Sequence, residues 1–183
     1  MTKNNRKQFA TLFGGAMNIT DSPEYLQTIE IGKLLAEHNY IVKNGGYGGM
    51  MEAVSKGASE AGGYVVGYTC ATFGTHSGNK YLSTEIKKDD IYDRLRGLIS
   101  GGDLFIVQKG GLGTLAELFL TLDVIRKYPK ENQPKVILFG KFWKDIMSPI
   151  LMTDKEKNLF VIIETVDEFK YLLNKYDSEG FNN

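Results

Sequence analysis

The chain of 183 residues is poor in the groups that metal and redox sites are built from, with one cysteine and two histidines, and it has no surplus of charge, with 22 Lys and Arg against 22 Asp and Glu. A single Cys70 excludes an intramolecular disulfide framework and a zinc site made of several thiolates, and it fits a reducing, cytoplasmic setting. His38 and His76 are too few for a three-histidine centre, and neither is assigned a role. Zero net charge argues against coating nucleic acid or an anionic membrane, since both need a basic excess. No apolar run approaches the roughly 18 residues of a membrane span. The stretch Met1 to Lys7 is polar and lacks the apolar segment of a signal peptide. What remains is a single globular domain over 1–183 whose ligand is held by local groups.

What the chain has in quantity is glycine, with 21 residues, and apolar runs of strand length between helical patterns. Phe9 to Phe13 reads as a buried strand ending at Gly14-Gly15. Ser22, Pro23 and Glu24 then supply an N-cap, a first helical residue and a first-turn acid. That helix ends near Asn39, and strands follow at Tyr40–Lys43, Tyr64–Gly67, Leu104–Val107, Val136–Phe139 and Phe160–Ile163. Helices are predicted from Met50 to Ala61, Ile91 to Ser100, Thr114 to Lys127, Phe142 to Leu151 and Val166 to Leu173. About twenty residues before Lys87 show no period, a length that marks functional or disordered loops. The tail beyond Asn174 reads as frayed. Cys70 reads as a small buried side chain, and Phe142 with Trp143 as the anchor of their helix.

Alternating strands and helices without repeat or linker imply an α/β domain whose parallel sheet is covered by helices on both faces. Ligands of such sheets bind beyond the carboxyl ends of the strands, where strand order reverses. The glycine-rich turns at Gly14, Gly45 and Gly110 all follow strands, so they gather at that edge. The helix after Gly113 is apolar most of the way round, through Leu115, Leu118, Phe119, Leu120, Leu122, Val124 and Ile125. It requires burial on two sides, beneath neighbouring elements or in a two-fold dimer.

A strand leading through Gly110-Gly111-Leu112-Gly113 into a helix offers free N–H groups and a positive dipole end to a phosphate. No Walker-type G-x-x-x-x-G-K-[ST] occurs, and Gly14-Gly15-Ala16-Met17 is not the dinucleotide pattern. Thr114 and Glu117 stand at capping-box spacing, and capping is the simpler reading. The same carboxylate would also sit beside any anion held by the loop. Arg94 and Leu98 share one helix side and Arg96 points away. On spacing alone, Arg94 reads as a solvated partner of Asp90.

The run Gly110-Gly111-Leu112-Gly113-Thr114-Leu115-Ala116-Glu117, with Arg94 upstream, resembles the GGxGTxxE signature and arginine of the LOG family. These are cytokinin-activating phosphoribohydrolases that were long mislabelled as lysine decarboxylases. Gly45-Gly46-Tyr47-Gly48-Gly49-Met50-Met51 resembles the family's second loop, and the likeness runs from about residue 9 to 173. It implies a three-layer Rossmann-like fold, hydrolysis of a nucleoside 5′-monophosphate, no cofactor, no metal and a homodimer. It also implies Glu117 and Arg94 as catalytic residues. Gly14, Gly15, Gly46, Gly48, Gly49, Lys109, Gly110, Gly111, Gly113 and Thr114 would bind the nucleotide. The family also holds generic nucleotide nucleosidases and proteins resembling molybdenum-cofactor carriers. Two positions depart from its pattern: Lys109 replaces the usual proline, and Leu95 replaces the lysine after the arginine. Ser77 to Leu82 lacks the acid that plant-type members carry. A pyridoxal-dependent decarboxylase would need a Schiff-base lysine that no feature singles out.

Overall fold

The computed structural model describes residues 6–17, 20–73, 77–150 and 152–179. Seven parallel strands form one sheet: β1 (Gln8–Phe13), β2 (Tyr40–Asn44), β3 (Val65–Cys70), β4 (Thr84–Lys88), β5 (Leu104–Val107), β6 (Lys135–Phe139) and β7 (Phe160–Ile163). Their spatial order is β4-β3-β2-β1-β5-β6-β7. The direction of winding therefore reverses between β1 and β5, where Ala10 to Phe13 lie in register with Leu104 to Val107. This is the three-layer α/β architecture expected from the sequence.

Side chains alternate across the sheet and build two cores. Ala10, Leu12, Val42, Leu104 and Ile106 face α1 (Pro23–Glu37), α2 (Met50–Glu60) and α7 (Val166–Glu179). Phe13, Phe105, Val107 and Leu138 face α3 (Ile91–Ile99), α4 (Leu112–Ile125) and α5 (Phe142–Met147). A short α6 spans Asp154–Lys157. Strands buried on both faces carry almost no polar residues, which is why β5 reads as an unbroken apolar run. Trp143 is fully buried and its indole N–H donates to the Val107 carbonyl at 3.1 Å, fastening α5 to the end of β5.

Four expectations are corrected. The aperiodic stretch before Lys87 contains β4, an edge strand paired with β3 from Val66↔Thr84 to Cys70↔Lys88. Its alternating half-exposed residues Thr-Glu-Ile-Lys-Lys are typical of an edge that must not attract another strand. Helix α7 does not fray at Asn174 but continues to Glu179. Tyr176 is buried in the core, and Asp177 accepts from or pairs with His38 Nδ1 at 2.6 Å. Helix α5 stops at Met147: Ser148 keeps helical angles, but Pro149 has no N–H with which to extend the hydrogen-bond ladder. Helix α4 starts two residues before Thr114, with consequences for the site. His76 lies outside the described residues.

Helices α1 and α2 pack backbone against backbone through Gly57 and Gly32. A Cβ on Gly57 would lie 1.8 Å from the Ile29 carbonyl oxygen, and one on Gly32 would lie 2.3 Å from that of Val54. Gly57→Ala is expected to lower the unfolding free energy by about 1–3 kcal/mol, despite alanine's better helix propensity, because neither backbone can yield. The midpoint of urea denaturation checks this.

On the other face, Lys43 of β2 is buried and reaches the carboxyl end of α3. Its ammonium donates to the carbonyls of Gly97 at 3.0 Å and Ser100 at 2.8 Å, beside the rings of Phe9 and Tyr68. These are the carbonyls a helix leaves unpaired, and they attract a cation. Burial pushes the Lys43 pKa down to about 8, and Asp103 opposes the shift. A base with a depressed folded pKa makes the folded state the poorer proton binder. Its share of stability is therefore greatest above the unfolded pKa and is lost as pH falls through about 8. Stability is expected to rise between pH 8 and roughly 10.5 by up to about 3 kcal/mol more in the wild type than in Lys43→Met. Denaturation midpoints measured across that range test it.

Candidate functional site

Three turns interlock at the carboxyl edge of the sheet. The N–H of Gly15, after β1, donates to the Lys109 carbonyl after β5 at 3.1 Å. The Gly15 carbonyl in turn accepts from the N–H of Met50, the first residue of α2, at 2.9 Å. Gly49 adopts φ +65°, and its Cβ position is occupied by the Gly15 oxygen 2.3 Å away, so both conformation and space demand glycine there. A Cβ on Gly110 would meet the Thr114 hydroxyl at 2.1 Å. Gly14, Gly15, Gly49 and Gly110 are thus drawn into one backbone cluster, and Gly48 precedes Gly49 in the same turn. Gly46 is tied from above by Asn79, whose amide donates to the carbonyls of Gly46 at 3.2 Å and Tyr47 at 3.0 Å.

Helix α4 begins directly after Gly110 and Gly111, so its amino end lies beside this cluster. Gly111 is its N-cap with no side-chain bond, and nothing lies within 4 Å of a Cβ placed on Gly111 or Gly113. The N–H groups of Leu112, Gly113 and Thr114 belong to the first helical turn and have no intrahelical acceptor. The capping box expected at Thr114 and Glu117 does not form. With the helix starting at Leu112, Thr114 lies inside the first turn and Glu117 falls in the second, out of reach of the cap.

Glu117 instead meets Arg94. The guanidinium Nη1 lies 3.4 Å from Glu117 Oε1, Nη2 lies 3.4 Å from the Gly45 carbonyl, and Nε donates to the Tyr68 carbonyl at 2.7 Å. The rings of Tyr47 and Phe73 each stand 5.7 Å from the guanidinium carbon. Arg94 is 6 % exposed, so the solvated reading is corrected: Asp90 caps α3 by accepting from Asp93 N–H, and Arg94 meets Asp90 only through its own backbone N–H. Arg96 behaves as expected, exposed and paired with Asp93.

Glu117 is 8 % exposed, and burial raises its pKa to about 7, while the Arg94 charge pulls it back. A contact of 3.4 Å is too long to cancel the desolvation of a carboxylate. The site therefore holds a carboxyl group that exchanges its proton near neutrality, at the foot of an open helix amino end. Among the described residues no group of three or more His, Cys, Asp or Glu is gathered as for a metal. No helix among them is long and apolar enough to cross a membrane.

Lys109 is exposed, with its ammonium against the Phe142 ring at 5.7 Å. Three residues of this edge were not selected from the sequence. Gln108 directly follows β5 with its side chain buried next to Gly14, and its amide nitrogen has no hydrogen-bond partner among the described residues. A polar residue closing the apolar run Leu104 to Val107 was the available signal. Tyr47 and Phe73 carried none, because an aromatic in a loop has no periodicity to set it apart.

Gly45 leaves room for the guanidinium: a Cβ there would lie 2.0 Å from Arg94 Nη2 and 2.7 Å from Met51 Sδ. Gly45→Ala is expected to displace the end of Arg94 and raise the Glu117 pKa above its wild-type value, since the opposing cation moves away. Carboxyl-carbon NMR titration of Glu117 reads this shift.

Comparison with known proteins gives a consistent picture. Residues 7–168 match the profile of the SLOG cluster4 family. An uncharacterized protein of Archaeoglobus fulgidus is 31 % identical over 117 residues, covering 64 % of this chain and 76 % of that protein. The X-ray structure of the protein TM1055 superposes with a TM-score of 0.72 at 29 % identity, over 92 % of this chain and 99 % of that one. The molybdenum cofactor binding protein of Rippkaea orientalis gives 0.73 at 23 % identity, over 94 % and 98 %. The molybdenum cofactor carrier protein of Chlamydomonas reinhardtii gives 0.73 at 22 %, over 94 % and 99 %. At these identities the last two share the fold.

Proposed function

The chain belongs to the SLOG cluster4 family, and we propose that it hydrolyses the N-glycosidic bond of a nucleoside 5′-monophosphate, AMP or a related nucleotide. The products are the free base and ribose 5-phosphate. The observation that carries this reading is the buried Glu117 carboxyl, poised near neutrality beside Arg94, at the foot of an open helix amino end flanked by glycine turns.

The 5′-phosphate lies on the N–H groups of Leu112, Gly113 and Thr114, with Gly110 and Gly111 giving access. Lys109 and Gly14, Gly15, Gly46, Gly48 and Gly49 shape the walls. Glycosidic cleavage passes through an oxocarbenium-like state, and an ionised Glu117 on its face stabilises the positive charge at C1′. Water adds its oxygen to C1′ as the C1′–N bond breaks and the electron pair leaves with the base. Glu117 takes a proton from that water, the departing base takes one from solvent, and Glu117 then returns its own to solvent. Arg94 stays charged at pH 7 and so serves as an anchor for ribose or base acceptors, not as an acid. The exposed Phe119 and Leu120 on α4 support a homodimer formed through that face.

A non-catalytic carrier of a nucleotide or of molybdenum cofactor is the second reading, favoured by Lys109 and Leu95 at positions where the LOG pattern has proline and lysine.

Adenine release from AMP is expected to fall by roughly 10²–10⁴-fold in Glu117→Gln, with the protein still folded. In the wild type kcat/KM should drop tenfold per pH unit below about 7, as protonation neutralises Glu117. Chromatographic detection of the base measures both. A wild type that releases no base from any purine or pyrimidine monophosphate leaves the carrier reading standing.

A further inference from the structure

The phosphate and ribose ends of the proposed site are built from α4, Glu117 and Arg94, and only the Arg94 guanidinium has been set against the base. Two aromatic rings stand against the Arg94 guanidinium. Tyr47 follows β2, and its hydroxyl is fixed between the N–H of Cys70 at 2.8 Å and the Cys70 carbonyl at 3.3 Å. Phe73 follows β3 in a short 3₁₀ turn and is 48 % exposed. Their centroids are 6.2 Å apart with the planes at 53°, and each is 5.7 Å from the Arg94 guanidinium carbon. Shielding the guanidinium accounts for one side of the pair. It does not account for Phe73 being left nearly half exposed just beyond the carboxyl end of β3.

We propose that Phe73, with Tyr47 and Arg94 beneath it, is the stacking platform for the fused-ring base of the bound nucleotide. The inference rests on the nucleotide reading above and deepens it by assigning the base subsite. The strand order supports the direction: from β5, which bears the phosphate turn, the sheet runs through β1 and β2 to β3. Arg94 joins the two ends by reaching α4, the turn after β2 and the end of β3 at once. A π face recognises any base but holds a bicyclic one over more area, so purine monophosphates bind more tightly than pyrimidine ones. Tyr47 presents its edge to the stacked ring, and the Arg94 charge beneath Phe73 strengthens the platform through its quadrupole.

The test is equilibrium binding of AMP, CMP, a pterin monophosphate and ribose 5-phosphate to wild type, Phe73→Ala, Phe73→Leu and Phe73→Trp. Phe73→Ala and Phe73→Leu should weaken AMP about tenfold and leave ribose 5-phosphate within twofold, since the sugar phosphate does not reach the platform. Phe73→Trp should retain AMP, and AMP but not ribose 5-phosphate should quench the added fluorescence. Equal weakening of AMP and ribose 5-phosphate makes Phe73 a support of Arg94 only and overturns the platform. Unchanged AMP affinity overturns it as well. A loss confined to the pterin overturns the nucleotide assignment. A wild type that binds ribose 5-phosphate but not AMP refutes the base subsite and leaves the phosphate site intact. One that binds neither removes the nucleotide reading and the platform together.

Discussion

The Arg94 guanidinium lies among groups from four separate parts of the fold: the Gly45 turn after β2, the Tyr68 carbonyl in β3, the Glu117 carboxyl on α4, and the two rings after β2 and β3. A charge this deeply buried must be satisfied locally, because the cost of leaving it unpaired is several kcal/mol or about that order. Everything near it can be read as part of that requirement. Gly45 lacks a Cβ because Nη2 occupies the space, and α3 is held at its far end by the Lys43 ammonium so that Arg94 enters at a fixed angle.

The pairing with Glu117 is loose for a buried ion pair, and this matters more than its strength. A tight bidentate contact would hold the carboxyl fully ionised and occupied. At 3.4 Å the desolvation of Glu117 outweighs the attraction, and the group titrates near neutrality. Buried pairs of this kind are poor stabilisers compared with apolar packing, and carboxyls shifted by burial beside a charge gather at functional sites. The Gln108 amide nitrogen, buried after β5 at the β1–β5 reversal, likewise has no hydrogen-bond partner among the described residues.

Much of this was legible in the sequence. Most strands of the central sheet read as short apolar runs, and the glycine turns at Gly14, Gly45 and Gly110 fall at its carboxyl edge, as their place after strands implies. Two things were not legible, for physical reasons. β4 is an edge strand that buries little, so Thr84 to Lys88 carries no apolar signature. The capping assignment failed because Thr-x-x-Glu fixes only a spacing. At Thr153 and Glu156 that spacing does form a capping box, at the start of α6. At Thr114 and Glu117 the glycine turn lets α4 begin earlier, and burial beside Arg94 claims the carboxylate. The helix start and the tertiary neighbour of each glutamate separate the two cases.

The central claim is that one crevice holds a phosphate at the amino end of α4 and a sugar carbon at Glu117. A crystal structure with ribose 5-phosphate bound tests it most directly. The account predicts phosphate oxygens within hydrogen-bonding distance of the N–H groups of Leu112, Gly113 and Thr114, and the anomeric carbon against Glu117. A phosphate seated elsewhere, or a sugar separated from Glu117 by the Arg94 side chain, would contradict it.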